Sequence, residues 1–327
     1  MHLYCLGNAI VDVIARCEDG FLAENGIIKG AMNLIDADRA ETLYAAMGPA
    51  VEMSGGSAGN TAAGAAALGC TVGYTGKVAA DQLGGIFSHD IRALGVAFDT
   101  ARLDPPPPTA RSMIFVTPDA QRSMNTYLGA CAELGLEDVD EAKAAAARIT
   151  YFEGYLWDPP RAKAMIRETA RIAHENGRQV AMTLSDPFCV DRYRHEFLDL
   201  IRSGTVDIVF ANADEARSLY ETDDLEAASA RLGGDAALAV ITRGAEGSTA
   251  IRGAERATAK AWPVEAVRDT TGAGDLYAAG FLTGLVRGDD LALCARLGSF
   301  AAGRIVEQIG PRPDPGLGDQ ARRLGIL

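Results

Sequence analysis

The chain has 327 residues, of which 48% are hydrophobic and 23% charged, enough for one large domain, alone or with a smaller appendage. Its 31 basic and 44 acidic residues give a formal net charge of −13, which argues against nucleic-acid or anionic-membrane partners. No apolar run reaches the roughly 18 residues of a membrane span, and the start lacks the basic-then-apolar layout of a signal peptide. We therefore expect a cytoplasmic protein that binds small molecules.

The six cysteines show neither Cys-x-x-Cys pairing nor a metal-ligand spacing with the four histidines. In a cytoplasmic protein they are expected to be reduced thiols, most of them buried.

The N-terminal segment from Tyr4 to Ile14 is apolar and predicts one buried strand. Asn8 and Asp12 interrupt it. Polar groups in an apolar strand need partners, and the hydroxyls of a ligand are candidates. Turn or edge positions are the alternative.

The next signal is the glycine-rich stretch from Gly55 to Asn60, which leads into an Ala-rich helix over Ala62–Leu68. Glycines such as Gly55 and Gly56 allow a ligand to approach the backbone closely at a helix start. The stretch lacks the Gly-Lys-Ser/Thr of a P-loop and the full dinucleotide fingerprint. Glycines that only let helices pack closely are the alternative.

Four prolines, Pro105–Pro108, predict a stiff extended connector. The runs 110–118 and 121–127 after them predict two strands of a hairpin that turns at Asp119-Ala120. Such a hairpin suggests a mobile lid, with hinges at the prolines and in the segment after Asp12. Arg122 would then move onto a transferring phosphate. The alternative is that Arg122 is a solvated charge on the hairpin.

From Ile149 onward, strands and helices alternate. One helix is predicted from Asp158 or Pro159 to about Asn176, and another opens at Asn212. The alternation predicts an α/β fold, a doubly wound and mostly parallel sheet with helices on both faces. Ligands of such sheets bind at the carboxyl ends of the strands. The predicted strands are Ile149–Glu153, Val180–Leu184, Val206–Phe210 and Ala237–Thr242.

The most informative stretch is Asp269-Thr270-Thr271-Gly272-Ala273-Gly274-Asp275, which precedes an apolar helical run. Backbone N–H groups at Gly272, Ala273 and Gly274 would point outward at the helix start, where the helix dipole favours an anion. Asp275 beside them could accept the proton of a hydroxyl that attacks a phosphoryl group. A glycine-rich helix N-cap with a dipole-favoured carboxylate is the alternative.

This stretch, followed by Ala279-Gly280-Phe281-Leu282, resembles the C-terminal motif of the ribokinase-like (PfkB) family of small-molecule kinases. Further motifs occur in the order typical of that family and are most similar to those of adenosine kinases. They are Leu6-Gly7-Asn8 through Asp12, Phe21-Leu22, Gly55-Gly56-Ser57 with Asn60, the hairpin with Arg122, and Leu184-Ser185-Asp186-Pro187-Phe188.

The resemblance implies roles for individual residues. Ribose hydroxyls would be held by Asp12, Gly55, Gly56 and Asn60, with Asn8 beside the base or sugar. Tyr155, Leu156 and Phe188 would flank the base. Asn212 and Glu215 would lie near the phosphates and Mg²⁺, and Glu215 would hold the Mg²⁺ ion through water. The nucleotide side would comprise Thr242, Gly244, Gly247 and Thr271, and Asp269 with Thr271 could hold a monovalent cation such as K⁺.

The implied reaction is transfer of the γ-phosphoryl group of ATP to the 5′-hydroxyl of a nucleoside, adenosine first. Asp275 would be the base, and the Gly272–Gly274 N–H groups would stabilise the transferring charge. The segment Gly129–Glu133 departs from the adenosine kinase pattern and leaves substrate choice open. A ribose- or fructose-type sugar kinase, a catalytically silent nucleotide-binding protein and a dinucleotide oxidoreductase are the alternatives.

The domain boundaries follow from the same resemblance. A large α/β domain is expected over 1–12, 37–106 and 129–327, and a small β lid over about 13–36 and 107–128. We expect a monomer or a homodimer.

Overall fold

The computed structural model describes residues 1–119 and 121–327. Ala120, in the predicted hairpin turn, lies outside them. The strands in chain order are β1 (Leu3–Leu6), β2 (Ile10–Arg16), β3 (Met32–Leu34), β4 (Ala50–Ser54), β5 (Val72–Thr75), β6 (Ala97–Phe98), β7 (Ala110–Val116), β8 (Arg122–Tyr127), β9 (Ile149–Glu153), β10 (Gln179–Thr183), β11 (Ile208–Asn212), β12 (Leu238–Thr242), β13 (Ser248–Arg252) and β14 (Glu255–Ala259).

The α-helices of the same part of the chain are α1 (Asp19–Glu24), α2 (Ala37–Ala46), α3 (Ser57–Ala67), α4 (Gln82–Ala93), α5 (Glu141–Ala146), α6 (Pro160–Glu175), α7 (Pro187–Arg202), α8 (Ala213–Tyr220), α9 (Leu225–Asp235), α10 (Ala273–Arg287), α11 (Leu291–Val306) and α12 (Leu317–Arg323). Short 3-10 helices span Gly129–Glu133, Leu136–Asp138, Gly154–Trp157 and Gly244–Glu246.

The large sheet has nine strands in the order β14-β13-β12-β11-β10-β9-β1-β5-β6. All neighbours from β12 to β6 pair in parallel, and β13 and β14 extend the sheet antiparallel. Both faces are covered: α3, α10 and α11 contribute to one buried cluster, and α6 and α7 to the other. Strands buried on both faces explain the nearly continuous apolar runs of the sequence, and the predicted doubly wound α/β class is confirmed.

The small sheet has five strands in the order β3-β8-β7-β2-β4. Its β7–β8 pair is the predicted hairpin. One face packs against α1 and α2 in a separate core that includes Val13, Leu43 and Phe115. Because side chains alternate along a strand, the residues between these point to the other face, toward the large sheet.

The predicted strand over Tyr4–Ile14 is wrong, because the run supplies two strands in two sheets. β1 lies inside the large sheet and β2 in the small one. The chain crosses between them at Gly7–Ala9, where Asn8 donates from its backbone and from Nδ2 to Glu153 Oε1, at 3.0 and 2.8 Å. The crossing therefore precedes Asp12, and the segment after Asp12 continues β2 instead of forming a hinge.

Two further expectations differ from the structure. The segment 37–54, assigned to the large domain, supplies α2 and β4 to the small sheet, because β4 pairs antiparallel with β2. Pro105, Pro106 and Pro107 lie in a bend instead of an extended connector, with cis peptides at Pro105–Pro106 and Pro106–Pro107.

None of the described helices is both long and apolar enough to cross a membrane. All six cysteines are free thiols and four of them are buried.

Candidate active site

A cavity of about 490 Å³ lies between the open face of the small sheet and the carboxyl ends of the large-sheet strands. Most of the residues predicted to form the site line it. They are Asn8, Asp12, Gly56, Asn60, Arg122, Tyr155, Asn212, Glu215, Thr242, Thr271, Gly272, Ala273, Gly274 and Asp275. Residues that are up to 267 positions apart in the sequence, from Asn8 to Asp275, thus meet at one edge of the sheet.

Phe188, predicted to flank a base, does not line the cavity. Asp186 caps α7 by accepting the Cys189 N–H at 2.7 Å, so Phe188 falls in the first helical turn with 56% of its surface exposed. Leu156, which was also predicted to flank the base, is fully buried in the core on one face of the large sheet.

Gly244 and Gly247 also lie away from the cavity. They shape the tight connection from β12 to β13, where a Cβ on Gly247 would lie 2.0 Å from the Ala259 carbonyl oxygen. Thr242, at the end of β12, is the member of that motif that reaches the cavity.

The anion turn, defined here as Gly272–Gly274, begins α10. Gly272 is the N-cap in the left-handed conformation, with φ 77°. The Ala273 N–H donates to the Thr270 carbonyl at 3.2 Å. In the described part of the chain the N–H groups of Gly272 and Gly274 have no acceptor. Free donors at the positive end of a 15-residue helix form an anion site.

Asp275 lies in the first turn of α10, at the cavity wall. Its Oδ1 accepts the Ser57 hydroxyl at 2.6 Å, and its Oδ2 accepts Asn60 Nδ2 at 2.8 Å. Burial raises the pKa of the Asp275 carboxyl above its ordinary value, and these two hydrogen bonds oppose the rise. The carboxylate is therefore oriented by α3 and is more basic than an exposed aspartate.

Asp12 reaches the cavity from β2, above the turn from β4 into α3. That turn needs glycine: Gly56 has φ 82°, and a Cβ there would lie 2.2 Å from the Asn8 carbonyl oxygen. A Cβ on Gly55 would lie 2.3 Å from Asp12 Oδ2. Burial raises the pKa of Asp12 to about 7 against the lowering effects of Arg312 and Arg122. Within residues 1–119 and 121–327 its carboxylate accepts no side-chain hydrogen bond, so its lone pairs remain available to a ligand.

Glu153, at the end of β9, was not predicted from the sequence. Its Oε1 accepts both Asn8 donors, and its Oε2 accepts the Ala58 N–H at 2.6 Å. Burial raises its pKa to about 7, opposed by those hydrogen bonds. Glu153 therefore ties the crossing between the sheets to the start of α3. Since Asn8 Nδ2 faces Glu153, its buried Oδ1 is the atom left without a described partner.

The small sheet and the residue after β8 present an apolar surface to the cavity, here called the apolar wall, formed by Met32, Leu34, Ile114, Met124 and Leu128. Strand register explains it, since Met32 pairs with Met124, and Met124 with Ile114. Asp12 lies in the neighbouring row, paired with Ser112. The cavity is therefore polar at Asp12 and apolar beside it.

At the opposite end, Asn212 and Glu215 form a capping box on α8. Asn212 Nδ2 donates to Glu215 Oε1 at 2.6 Å, and the Glu215 N–H donates to Asn212 Oδ1 at 2.8 Å. The predicted Asn-x-x-Glu pattern is thus a helix cap that also reaches the cavity. Burial raises the pKa of Glu215 to about 8, and the nearby carboxyls of Asp186, Asp214 and Asp275 add to the rise.

Arg122 and Asp269 form an ion pair between the two sheets, and both side chains are largely buried. Asp269 Oδ2 also accepts the Gly310 N–H at 2.8 Å, and its Oδ1 accepts the Thr271 N–H at 2.9 Å. Arg122 lines the cavity, and its buried Nη1 has no partner among the described residues.

The sequence interpretation missed the roles of Ser57, Glu153, Arg312 and the apolar wall. Ser57 could have been found from its place beside the glycines. A lone glutamate ending an apolar strand was a usable signal for Glu153, because a buried carboxylate needs donors. Arg312 and the wall carry no local signal, since they depend on tertiary contacts and on the pairing register.

A family model described as pfkB family carbohydrate kinase matches residues 29–315. The crystal structure of an adenosine kinase from Sinorhizobium meliloti is similar to this chain with a TM-score of 0.96 and 65% identity, over 99% of both chains. That of a probable sugar kinase protein from Rhizobium etli has a TM-score of 0.97 and 60% identity, over 100% of this chain and 99% of its own.

A more distant relative is an adenosine kinase from Saccharomyces cerevisiae. It is 27% identical over 332 residues, which cover 94% of this chain and 96% of the yeast protein. The similarity therefore extends over both sheets and over the cavity between them.

Proposed function

This chain belongs to the PfkB family of carbohydrate kinases, and from that premise we propose that it transfers the γ-phosphoryl group of ATP to the 5′-hydroxyl of a nucleoside, adenosine first. Family membership makes it a phosphotransferase that acts on a hydroxyl group. The S. meliloti and S. cerevisiae relatives, both adenosine kinases, support the choice of acceptor.

The observation that carries the nucleoside is the apolar wall beside Asp12. An ionised carboxylate accepts two hydroxyl donors, which suits a vicinal diol. A free pentose would leave Met32, Met124 and Ile114 facing water, whereas a nucleobase next to the sugar covers them. Tyr155 lines the same cavity, and we assign it to the base side. Phe188 has no part in this proposal.

In the proposed reaction the 5′-hydroxyl passes its proton to Asp275 as its oxygen bonds to the γ-phosphorus, and the bond to the β-phosphate oxygen breaks to release ADP. Ser57 and Asn60 hold the carboxylate in place. The Gly272 and Gly274 N–H groups donate to the transferring phosphoryl oxygens, and Arg122 Nη1 supplies a further donor. Asp275 returns its proton to solvent after the product leaves.

A divalent cation fits the Glu215 end of the cavity. The Glu215 carboxylate is buried among other carboxyls with its pKa raised to about 8, and a nearby cation would favour its ionised form. Glu215 and Asn212 would hold Mg²⁺ largely through water, because Mg²⁺ dehydrates reluctantly. When bound, Mg²⁺ neutralises charge on the β- and γ-phosphate oxygens. Thr242 and Thr271 are proposed to contact the nucleotide.

A monovalent cation at Asp269 and Thr271 does not fit the same test. The Asp269 carboxylate already accepts two backbone N–H groups and pairs with the Arg122 guanidinium. The positive charge that a K⁺ ion would supply is therefore already present.

We further propose that the small sheet moves as a lid and that the protein acts in the cytoplasm as a monomer or homodimer. The crossing at Gly7–Ala9 and the return through Gly55–Gly56 support the first point, because they are short connections between the sheets. The free thiols support the cytoplasmic location.

The test is a coupled ADP-release assay with Mg-ATP against adenosine, guanosine, inosine, cytidine, ribose and fructose. We expect turnover with adenosine or another nucleoside and none with the free sugars. Turnover with a free sugar alone would instead favour the second candidate, a sugar kinase, which the R. etli relative and the polar end of the cavity support. That result would leave the proton transfer to Asp275 intact and remove the base from the apolar wall.

A further inference from the structure

Arg312 lies in the loop between α11 and α12 and contacts the glycine turn that begins α3. Its Nε donates to the carbonyl oxygen and to Oγ of Ser54, both at 3.0 Å. Its Nη2 donates to the Gly55 carbonyl oxygen, also at 3.0 Å. Ser54 ends β4 and Gly55 begins the turn, so one guanidinium binds the backbone on both sides of that junction. Hydrogen bonds from a charged donor are stronger than neutral ones.

The junction carries the parts of the site that hold the acceptor and orient the catalytic base, Asp275. Gly55 lies against the Asp12 carboxylate, and Gly56 lies against the Asn8 carbonyl. The first turn of α3 then supplies Ser57 and Asn60 to Asp275. A shift of the turn would therefore displace the surroundings of Asp12 and both hydrogen bonds to Asp275.

The residues preceding Arg312 contact the other parts of the cavity. The Gly310 N–H donates to Asp269, the partner of Arg122. Pro311 packs against the anion turn, where a Cβ on Gly272 would lie 3.0 Å from Pro311 Cβ. The segment Gly310–Arg312 thus joins the inter-sheet ion pair, the anion turn and the glycine turn.

The charge of Arg312 also acts on the site. It lowers the pKa of both Asp12 and Asp275, opposing the effect of their burial. Arg122 is another cation that lines the cavity, and its charge lowers the pKa of Asp12. Four further ionisable groups near Asp275 are acidic or neutral when buried, so they oppose its ionisation or leave it unchanged. They are Asp12, Tyr151, Glu153 and Glu215.

We propose that Arg312 is a positioning residue for phosphoryl transfer, which holds the Gly55–Gly56 turn in place and adds its positive charge to the acidic groups around that turn. The proposal rests on the proposed function only in needing Asp275 as the base. It is independent of whether the acceptor is a nucleoside or a sugar.

The test compares Arg312→Gln and Arg312→Lys with the matched surface change Arg322→Gln, using whichever acceptor the wild-type enzyme turns over. Arg322 pairs with Asp319 on the exposed side of α12. Arg312→Gln should lower kcat/KM about 10- to 100-fold, the range expected for losing hydrogen bonds from a charged group. The acid limb of its kcat/KM–pH profile should move to higher pH, because both Asp12 and Asp275 lose the nearby positive charge.

Arg312→Lys should separate the two contributions. It keeps the charge, so the acid limb should stay near that of the wild type, but one ammonium cannot reproduce the planar bidentate contact, so kcat/KM should still fall. Arg322→Gln should match the wild type in both measurements. An unmoved acid limb in Arg312→Gln, or an Arg312→Lys variant with wild-type kcat/KM, would overturn the proposal.

A crystal structure of Arg312→Gln gives a readout that needs no substrate, and if that variant does not fold, Arg312→Lys takes its place. We expect the glycine turn to shift away from Asp12. A turn with the wild-type Gly56 φ of 82° and an unmoved Asp12 would contradict the inference even with altered kinetics. Failure of the wild-type enzyme to use any acceptor would count against the proposed function and leave this structural test unaffected.

Discussion

Arg122 on β8 forms an ion pair with Asp269, which lies 147 residues further along the chain in the loop before the anion turn. The pair joins the small sheet to the loop that leads into α10, and its Arg122 side chain lines the cavity. Because both side chains are largely buried, solvent screens their attraction weakly. The Asp269 carboxylate consequently has a cationic partner that belongs to the protein itself.

The first prediction concerns monovalent cations. Replacing K⁺ by tetramethylammonium at constant ionic strength should leave the kcat of the wild-type enzyme unchanged, because Arg122 already neutralises Asp269. In Arg122→Gln that carboxylate loses its partner, and K⁺ should then raise turnover relative to tetramethylammonium. Steady-state kinetics in the two salts measure both effects. A wild-type enzyme that requires K⁺ would show that the pair opens to admit the ion.

The second prediction concerns the base. Asp275→Asn keeps the size of the side chain and removes its ability to take a proton. Turnover should fall by about 10²- to 10⁴-fold, the usual contribution of general base catalysis. The affinity for the acceptor, measured by calorimetry, should remain close to that of the wild type. Comparable turnover in the two enzymes would remove Asp275 from the proton transfer.

The third prediction uses the pKa of Asp12, which burial raises to about 7. Below that pH the Asp12 carboxyl of the free enzyme holds a proton. The acceptor hydroxyls donate to the ionised carboxylate, so acceptor binding favours loss of that proton. Acceptor binding should therefore weaken as the pH falls through about 7, with release of protons on binding in that range. Calorimetry in buffers of different ionisation enthalpy measures the release.

Asp12→Asn is the matched control for this effect. It keeps an oxygen acceptor of the same reach but cannot titrate, so the proton release attributed to Asp12 should disappear. A release of the same size in the variant would assign the effect to another buried carboxyl, with Glu153 the first candidate because its pKa is also raised to about 7.

The fourth prediction tests the apolar wall. Met124→Gln places a polar group of similar length against the proposed nucleobase and should raise the KM for the nucleoside about 10-fold, as expected for the loss of one modest apolar contact. The kcat should change little, because Met124 does not contact the reacting atoms. Val51→Gln, on the exposed edge of the same sheet, is the control. Equal KM values in both variants would show that the nucleobase does not contact the apolar wall.

Local sequence patterns predicted four strands of the large sheet, β9 to β12, and the position of the anion turn. The strand Ile149–Glu153 is reproduced residue for residue, and Gly272 to Asp275 lie at the cavity as expected. Both depend on short-range signals: apolar runs bounded by helices, and glycines before a helical run. Such signals can be recognised without knowing which distant segments a residue contacts.

The errors share another physical origin, since each depends on contacts between distant segments. The break at Asn8 follows from its bonds to Glu153, and β4 belongs to the small sheet because it pairs with β2. The helix cap at Asp186 turned Phe188 outward, although the string around it matched the family pattern. Strand register, invisible in local periodicity, created the apolar wall.

The two sheets of the enzyme position different groups of the candidate active site. Asp275 and the anion turn lie at the start of α10, which packs against the large sheet, whereas Asp12, Arg122 and most of the apolar wall belong to the small sheet. Selectivity can therefore change through Met32, Ile114 and Met124 on β3, β7 and β8, provided that Arg122 on β8 is kept together with Asp275 and the anion turn. One inherited catalytic framework could in this way serve many acceptors, and grafting the open face of a relative's small sheet would be a direct route to redesigning the preferred one.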